Sequence, residues 1–189
     1  MGKKYNIILA DPPWNHEAWA GGGNRHPRHH YPVMDQEQIL SLPIEKITSA
    51  ACVLFLWTTW PHMPEALDVI TAWGFIFKTC GFLWVKQNIK SDSLFMGLGS
   101  WTRANSEPCL LAIKGKMKRV SASVRQVVLS PRGEHSAKPP EVRERIVQLL
   151  GDLPRVELFA RERVEGWDAM GNGIDGRDIR DELLDSVEL

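Results

Sequence analysis

Two short apolar runs without polar alternation stand out in the first third of the chain. Ile7 to Ala10 is followed directly by Asp11, and Cys52 to Trp57 is followed by two threonines. Strands that are apolar on both faces are typical of a parallel sheet covered by helices on each side. The pattern therefore predicts an α/β fold built around these two strands.

Four further segments have the length and apolar content of strands. They are Phe75 to Val85, Pro108 to Ile113, Gln126 to Leu129 and Arg155 to Phe159. The polar, glycine-rich stretch from Lys86 to Glu107 separates the first two. Segments of that length without secondary structure are usually functional or mobile, so we expect a functional role for it.

Three segments carry the apolar spacing and the end signals of helices. Asp35 to Leu42 begins at an acidic cap and ends before a proline, and Pro64 to Trp73 ends at Gly74. Pro139 to Leu150 begins with prolines and ends at Gly151. The alternation of strands and helices again predicts an α/β fold.

The length of 189 residues and the apolar fraction of 43% are those of one globular domain. We predict this domain over residues 1–177 and a helical or disordered tail over residues 178–189. The longest apolar stretch, Ala50 to Trp57, is too short to span a bilayer, and no long apolar segment follows the basic start. We therefore expect a cytoplasmic protein.

The formal net charge is zero, which disfavours a small module that binds nucleic acid by bulk electrostatic attraction. Two local basic clusters, Arg25 to His30 and Lys114 to Arg125, flank the candidate chemistry. Such basic clusters are most often solvated surface, and contact with a nucleic-acid backbone is the less common alternative. Because Cys52, Cys80 and Cys109 are widely separated, we expect reduced core residues, and neither a metal site nor a disulfide.

The tetrapeptide Asp11-Pro12-Pro13-Trp14 follows the first predicted strand directly. The exocyclic amine of a purine is a poor nucleophile because its lone pair is delocalised into the ring. The Asp11 carboxylate and the Pro12 carbonyl can hold both amine hydrogens and direct the lone pair at an electrophile. The prolines restrict the turn and offer no N–H groups, and Trp14 offers a flat face to an unstacked base. The alternative is a proline-terminated strand with a capping Asp and a core Trp.

Gly171 to Gly176 matches the G-x-G-x-x-G pattern of dinucleotide-binding sites. No convincing strand leads into it, and too little chain follows for a complete βαβ unit. The pattern therefore does not predict a binding site for a nicotinamide dinucleotide.

Several ordered motifs resemble the DPPW-type adenine N6-methyltransferases, which include the catalytic subunit of the eukaryotic messenger-RNA adenine methyltransferase and many bacterial and phage enzymes. The matching segments are IILADPPW at 7–14, HYPVMD at 30–35, LFLWTT at 54–59, WGF at 73–75, LWVK at 83–86, NSEPCLLAIKG at 105–115, HSAKPPEV at 135–142, ELFAR at 157–161 and GWDAMGN at 166–172. The resemblance implies a single Rossmann-like domain that uses S-adenosylmethionine, with a mostly parallel sheet flanked by helices. It also implies that the catalytic motif precedes the cofactor motif.

The resemblance implies roles for individual residues. The implied catalytic residues are Asp11, Pro12, Pro13 and Trp14, and the implied substrate contacts are Trp14 and Tyr31. The implied cofactor-binding residues are Asp11, Lys138, Glu157, Leu158, Phe159, Arg161, Arg163 and Asn172. The Lys138 ammonium suits the cofactor carboxylate, whereas packing is the alternative for Tyr31. Gly173 stands where relatives often carry Gln or Glu, which removes one cofactor hydrogen bond.

These features predict methyl transfer from S-adenosylmethionine to the N6 amine of adenine in a nucleic acid, without a metal. DNA is favoured over RNA because small DPPW proteins resemble prokaryotic and phage members. Methylation of the cytosine N4 amine and a non-catalytic scaffold subunit are the alternatives. Target specificity then has to come from inserted loops, self-association or a partner protein. Residues 21–23 and the segment before Glu107 are candidate lids.

Overall fold

An α/β fold is formed in the computed structural model, which describes residues 2–14, 34–99, 101–133 and 137–186. The strands are β1 (Tyr5–Ala10), β2 (Thr48–Trp57), β3 (Ile76–Asn88), β4 (Ser91–Leu94), β5 (Ser106–Lys114), β6 (Val127–Pro131), β7 (Arg155–Leu158) and β8 (Asp168–Met170). The α-helices are α1 (Gln36–Leu40), α2 (Met63–Ala72), α3 (Glu141–Leu150), α4 (Asn172–Asp175) and α5 (Ile179–Asp185). Single 3₁₀ turns lie at Ile44–Lys46 and Trp60–His62.

These strands form one sheet in the order β4-β3-β5-β2-β1-β7-β8, with β6 paired to β3. The pairs β1–β2, β1–β7, β7–β8 and β3–β6 are parallel. Strand β5 runs antiparallel to β2 and to β3, and β4 folds back on β3. The predicted single α/β domain with a mostly parallel sheet is confirmed. The direction of β5 did not follow from its sequence, because a buried strand is apolar on both faces whichever way it runs.

The side chains of β1 alternate between two hydrophobic cores. Ile7 and Leu9 pack on the face that α3 covers, and Ile8 and Ala10 pack on the face that α1, α2 and α5 cover. Both faces of the strand are therefore buried, which explains its continuous apolar sequence.

The ends of the helices follow the signals in the sequence. The Asp35 carboxylate accepts the Gln38 backbone N–H at 2.8 Å, and the Gln38 side chain accepts the Asp35 N–H at 3.0 Å, so α1 begins at a capping box. Gly74, with φ of 78°, follows α2 in the left-handed conformation that favours glycine. None of the described helices is long and apolar enough to cross a membrane.

The prediction that no strand leads into Gly171 to Gly176 was wrong. Strand β8 immediately precedes this segment and pairs in parallel with β7. A three-residue strand at the sheet edge has too little apolar sequence to be distinguished from a loop. The helix that follows, α4, has only four residues, so the segment does not form the long helix of a dinucleotide-binding unit.

The basic cluster that begins at Lys114 starts at the opposite edge of the sheet from the DPPW turn. Lys114 lies opposite Cys52, towards the start of β2, whereas Asp11 follows the end of the parallel neighbour β1. The cluster was expected to flank the candidate chemistry. This expectation was wrong for Lys114, because β5 is antiparallel and carries Lys114 away from the DPPW turn. The other cluster, Arg25 to His30, lies outside the described residues.

The segment after residue 177 contributes to the core. Ile179 and Leu183 of α5 are 2% and 0% exposed and pack with the apolar side chains on one face of the sheet. The domain boundary after residue 177 stays a prediction.

Replacement of Ile8 by alanine tests the core that supports the site. Ile8 has no exposed surface, and we expect Ile8→Ala to lower the free energy of unfolding by about 2–5 kcal/mol. The matched control is Ile76→Ala, because the Ile76 side chain is 65% exposed and its loss should change stability by only about 0.5 kcal/mol. Urea denaturation measures both, and equal effects would contradict the assignment of the core.

Candidate active site

The DPPW turn lies at the edge of the sheet where the strands that run with β1 end. Strands β1, β2, β3, β6 and β7 share one direction. Strand β5 runs against them and therefore begins at this edge. Asp11, Trp57 and Lys86 lie at the strand ends, and Glu107 lies at the start of β5. In open α/β sheets this is the edge where ligands bind.

Four charged side chains form a chain of ion pairs at this edge. Lys138 Nζ lies 2.7 Å from Asp11 Oδ2 and 3.5 Å from Glu107 Oε2. The Lys86 ammonium contacts the other oxygen of Glu107. Each of the four side chains is only 17–21% exposed. We refer to Asp11, Lys138, Glu107 and Lys86 together as the charge cluster.

The charges of this cluster stabilise one another against burial. Burial alone lowers the pKa of Lys138, but the Asp11 and Glu107 carboxylates outweigh that effect and raise it above its ordinary value. Burial alone raises the pKa of Glu107, but Lys138 and Lys86 outweigh it and lower the pKa. The positive charge of Arg161 acts in the opposite sense and lowers the pKa of Lys138.

Two buried tryptophans border the cations. The Lys138 ammonium lies 5.6 Å from the centre of the Trp57 ring, and the Lys86 ammonium lies 4.9 Å from the centre of the Trp84 ring. Because a ring face is electron-rich, it attracts a cation that has been partly removed from water. These contacts help to fix both lysines at the edge of the sheet.

The DPPW turn itself is tightly packed. The Trp14 N–H donates to the Pro12 carbonyl at 2.8 Å, which leaves that oxygen one further lone pair for a ligand. The Trp14 indole donates to the Trp57 carbonyl at 3.1 Å, and its ring lies 6.0 Å from that of His62. Trp14 is only 7% exposed and packs in the hydrophobic core on the face that α1, α2 and α5 cover. Its stacking on a base stays a prediction, and Tyr31 lies outside the described residues.

The end of β7 contacts the segment that follows β8. Phe159 has a φ of 60°, which is a strained conformation for a residue with a bulky side chain. The Ala160 N–H donates to the Met170 carbonyl at 3.0 Å. A Cβ on Gly171 would lie 2.8 Å from the Ala160 nitrogen. These contacts bring Arg161, after β7, close to the start of α4.

This packing explains the glycine that departs from the family pattern. A Cβ on Gly173 would lie 2.9 Å from Arg161 Cα and 3.0 Å from the Ala160 carbonyl oxygen. A larger residue therefore requires a shift of the backbone after β7. Neighbouring Asn172 is the first residue of α4.

The other predicted cofactor residues have contacts within the protein. Glu157 accepts two hydrogen bonds from Arg143 of α3, at 2.7 and 3.1 Å. Leu158 is fully buried and can offer a ligand only its backbone. Arg163 pairs with Asp175 at 3.2 Å. Their roles in cofactor binding stay predictions.

No role of Glu107 or Lys86 was predicted from the sequence. Both residues lie in segments that resemble the family, NSEP and LWVK, and they bound the long polar stretch between two strands. The sequence did contain one signal for a role of these residues. Each is a charged residue at the boundary between an apolar strand and a polar segment. This signal was weak, because strands commonly end at charged residues.

An open α/β sheet with charged side chains beyond its strand ends is the arrangement in which Rossmann-like enzymes bind their ligands. The MT-A70 family profile matches residues 5–173. The chain therefore belongs to the MT-A70 family.

Comparison with individual proteins agrees with this assignment. The chain is 32% identical over 191 residues to the type II methyltransferase M.MunI of Mycoplasma sp, covering 89% of this chain and 77% of that protein. It is 29% identical to the N6-methyladenosine RNA methyltransferase MTA1 of Pyricularia oryzae, covering 90% of this chain and 47% of that protein. It is 26% identical to the N(6)-adenosine-methyltransferase MT-A70-like protein of Arabidopsis thaliana, covering 91% of this chain and 24% of that protein.

Replacement of Glu107 by glutamine tests the charge cluster. The variant leaves two partly buried ammonium groups without their shared carboxylate, so we expect a loss of about 1.5–3 kcal/mol in the free energy of unfolding at neutral pH. Because folding lowers the Glu107 pKa, its contribution is present above the pKa of the unfolded chain. It is lost as the pH falls through the lower pKa of the folded protein.

The stability difference between wild type and Glu107→Gln should therefore shrink between neutral pH and about pH 3. Urea denaturation at both pH values measures it. A difference that stays constant would show that the charge of Glu107 does not stabilise the fold.

Proposed function

We propose that this protein transfers a methyl group from S-adenosylmethionine to the N6 amine of adenine in a nucleic acid, and that DNA is preferred to RNA. The observation that carries the proposal is the Asp11 carboxylate, which lies 2.7 Å from Lys138 Nζ directly after the end of β1. Membership of the MT-A70 family supports the reaction class.

Asp11 serves as a hydrogen-bond acceptor for the amine in this proposal. A carboxylate offers about four lone-pair positions, and the Lys138 contact uses one oxygen, so the carboxylate retains capacity for a ligand. The Pro12 carbonyl is the second acceptor. Two fixed acceptors orient the amine nitrogen towards the methyl group, and this alignment lowers the entropic cost of reaction.

The side chains at the strand ends fit an amino acid moiety such as that of S-adenosylmethionine. Lys138 offers an ammonium to its carboxylate, and Glu107 offers a carboxylate to its ammonium. The cofactor supplies an electrophilic methyl group on a sulfonium.

The proposed preference for DNA is supported by the share of each relative that this chain covers. The chain spans 77% of the type II methyltransferase M.MunI but 47% of the relative whose name specifies RNA. Specificity for a target sequence then resides in loops, in a second copy or in a partner. Cytosine N4 methylation and a non-catalytic scaffold role are the competing functions, and the reaction product distinguishes them.

Replacement of Asp11 by asparagine tests the catalytic proposal. We expect Asp11→Asn to lower the rate of methyl transfer by about 100- to 1,000-fold, because a neutral amide replaces the preorganised charged acceptor and no longer forms an ion pair with Lys138. The measurement is transfer of labelled methyl to single-stranded DNA, duplex DNA and RNA, followed by digestion to nucleosides. Asp68→Asn is the matched control, because Asp68 is an exposed residue of α2.

Each outcome of that assay has a distinct meaning. Label in N6-methyladenine that is lost in Asp11→Asn supports the proposal, and label in N4-methylcytosine supports the cytosine alternative. No label in any pool, from a folded protein that binds S-adenosylmethionine, supports the scaffold alternative.

Replacement of Lys138 by glutamine tests the cofactor site. We expect Lys138→Gln to weaken S-adenosylmethionine binding by about 10- to 100-fold, because a charge-assisted hydrogen bond is lost. Isothermal titration calorimetry measures the affinity, and Lys118→Gln is the control because Lys118 is exposed. An unchanged affinity would remove Lys138 from the cofactor site.

A further inference from the structure

The connection between β3 and β5 presents apolar side chains to solvent beside the active-site edge. We call its described residues, 89–99 and 101–105, the β3–β5 arm. Its exposed apolar residues are Ile89, Leu94, Met96, Leu98 and Trp101. Trp101 has 99% of its surface exposed. Exposed apolar residues grouped in this way are typical of a binding surface.

The tip of the β3–β5 arm has a closely packed backbone. A Cβ on Gly97 would lie 2.0 Å from the Ala104 carbonyl oxygen, and a Cβ on Gly99 would lie 1.9 Å from the Thr102 carbonyl oxygen. The chain therefore folds back on itself so closely that only glycine fits at both positions. The exposure of Trp101 follows from this fold of the tip.

The base of the arm is joined to the charge cluster through Lys86. The Lys86 N–H donates to the Asn105 carbonyl, and the Lys86 carbonyl accepts the Phe95 N–H, both at 2.8 Å. The Lys86 ammonium pairs with Glu107. Arg132, in the connection that leads to Lys138, lies 3.7 Å from the centre of the Phe95 ring. The arm is thus continuous with the active-site edge.

The charges on and beside the arm suit an anionic ligand. Lys90, Arg103 and Arg132 are exposed cations, and Asp92 is the acidic residue of the described arm. Trp101 lies two residues before Arg103. An aromatic face next to cations is the combination that binds single-stranded nucleic acids, because bases stack on the ring and phosphates pair with the cations.

We propose that the β3–β5 arm binds the nucleic-acid strand next to the target base, with one neighbouring base stacked on Trp101 and a neighbouring phosphate paired with Arg103. This proposal rests on the proposed function, since an adenine at Asp11 brings the adjacent nucleotides over this edge. Trp101 is four residues from Asn105, a span of at most about 14 Å.

Replacement of Trp101 by alanine tests the stacking contact. We expect Trp101→Ala to weaken binding of a fluorescent single-stranded DNA that contains adenine by about 5- to 100-fold, measured by fluorescence anisotropy. Because Trp101 is exposed, the melting temperature and the affinity for S-adenosylmethionine should not change. Ile76→Ala is the control, since Ile76 is an exposed apolar residue at the start of β3, towards the opposite edge.

Replacement of Arg103 by glutamine tests the phosphate contact separately. The slope of the logarithm of the binding constant against the logarithm of salt concentration should fall in magnitude by about one. An unchanged slope would overturn this contact.

The outcomes separate this surface from the proposed reaction. Unchanged DNA affinity in Trp101→Ala overturns the surface, even if adenine methylation is observed. Weakened affinity without methylation by the wild type supports the surface and counts against the reaction. Unchanged affinity together with a change of oligomeric state in sedimentation overturns the nucleic-acid assignment in favour of a protein interface.

Discussion

The contact between Lys138 and Asp11 joins residues that are 127 positions apart in the chain, and the geometry of the site depends on it. Asp11 follows β1, whereas Lys138 lies between β6 and α3. An ammonium between two carboxylates is stable in a partly buried place only because each charge compensates the other. Glu107 and Lys86 extend the pairing towards β3 and β5. The charge cluster thereby fixes the relative positions of four segments at one edge of the sheet.

The directions of the strands bring these segments together. Because β5 is antiparallel to its neighbours, its first residues lie beside the last residues of β2 and β3. Glu107, near the start of β5, therefore pairs with Lys86 near the end of β3 and with Lys138 in the connection before α3. The same reversal sends Lys114 to the far edge. One strand direction thus decides which charged motif joins the site and which does not.

Close backbone packing determines the conformation of the residues that follow β7 and β8. The end of β7 contacts the residues after β8 so closely that Gly171 and Gly173 have no space for a Cβ. The strained conformation of Phe159 belongs to the same contact. Such strain is held in place by its surroundings and is commonly found at functional sites. The absence of a side chain at position 173 therefore agrees with the close packing of this contact.

The sequence by itself determined the α/β class, most of the strands and helices, and the position of Asp11 to Trp14 directly after the first strand. Local patterns carry this information, because burial on both faces gives continuous apolar strands and capping residues mark the helix ends. Only the tertiary structure decided that Glu107 and Lys86 complete the cluster, that β8 exists, and that Trp14 is packed in the core. These features depend on contacts between distant segments and on the direction of β5, which leave no periodic signal in the chain. Electrostatic pairing and steric fit between such segments act only once the fold has formed.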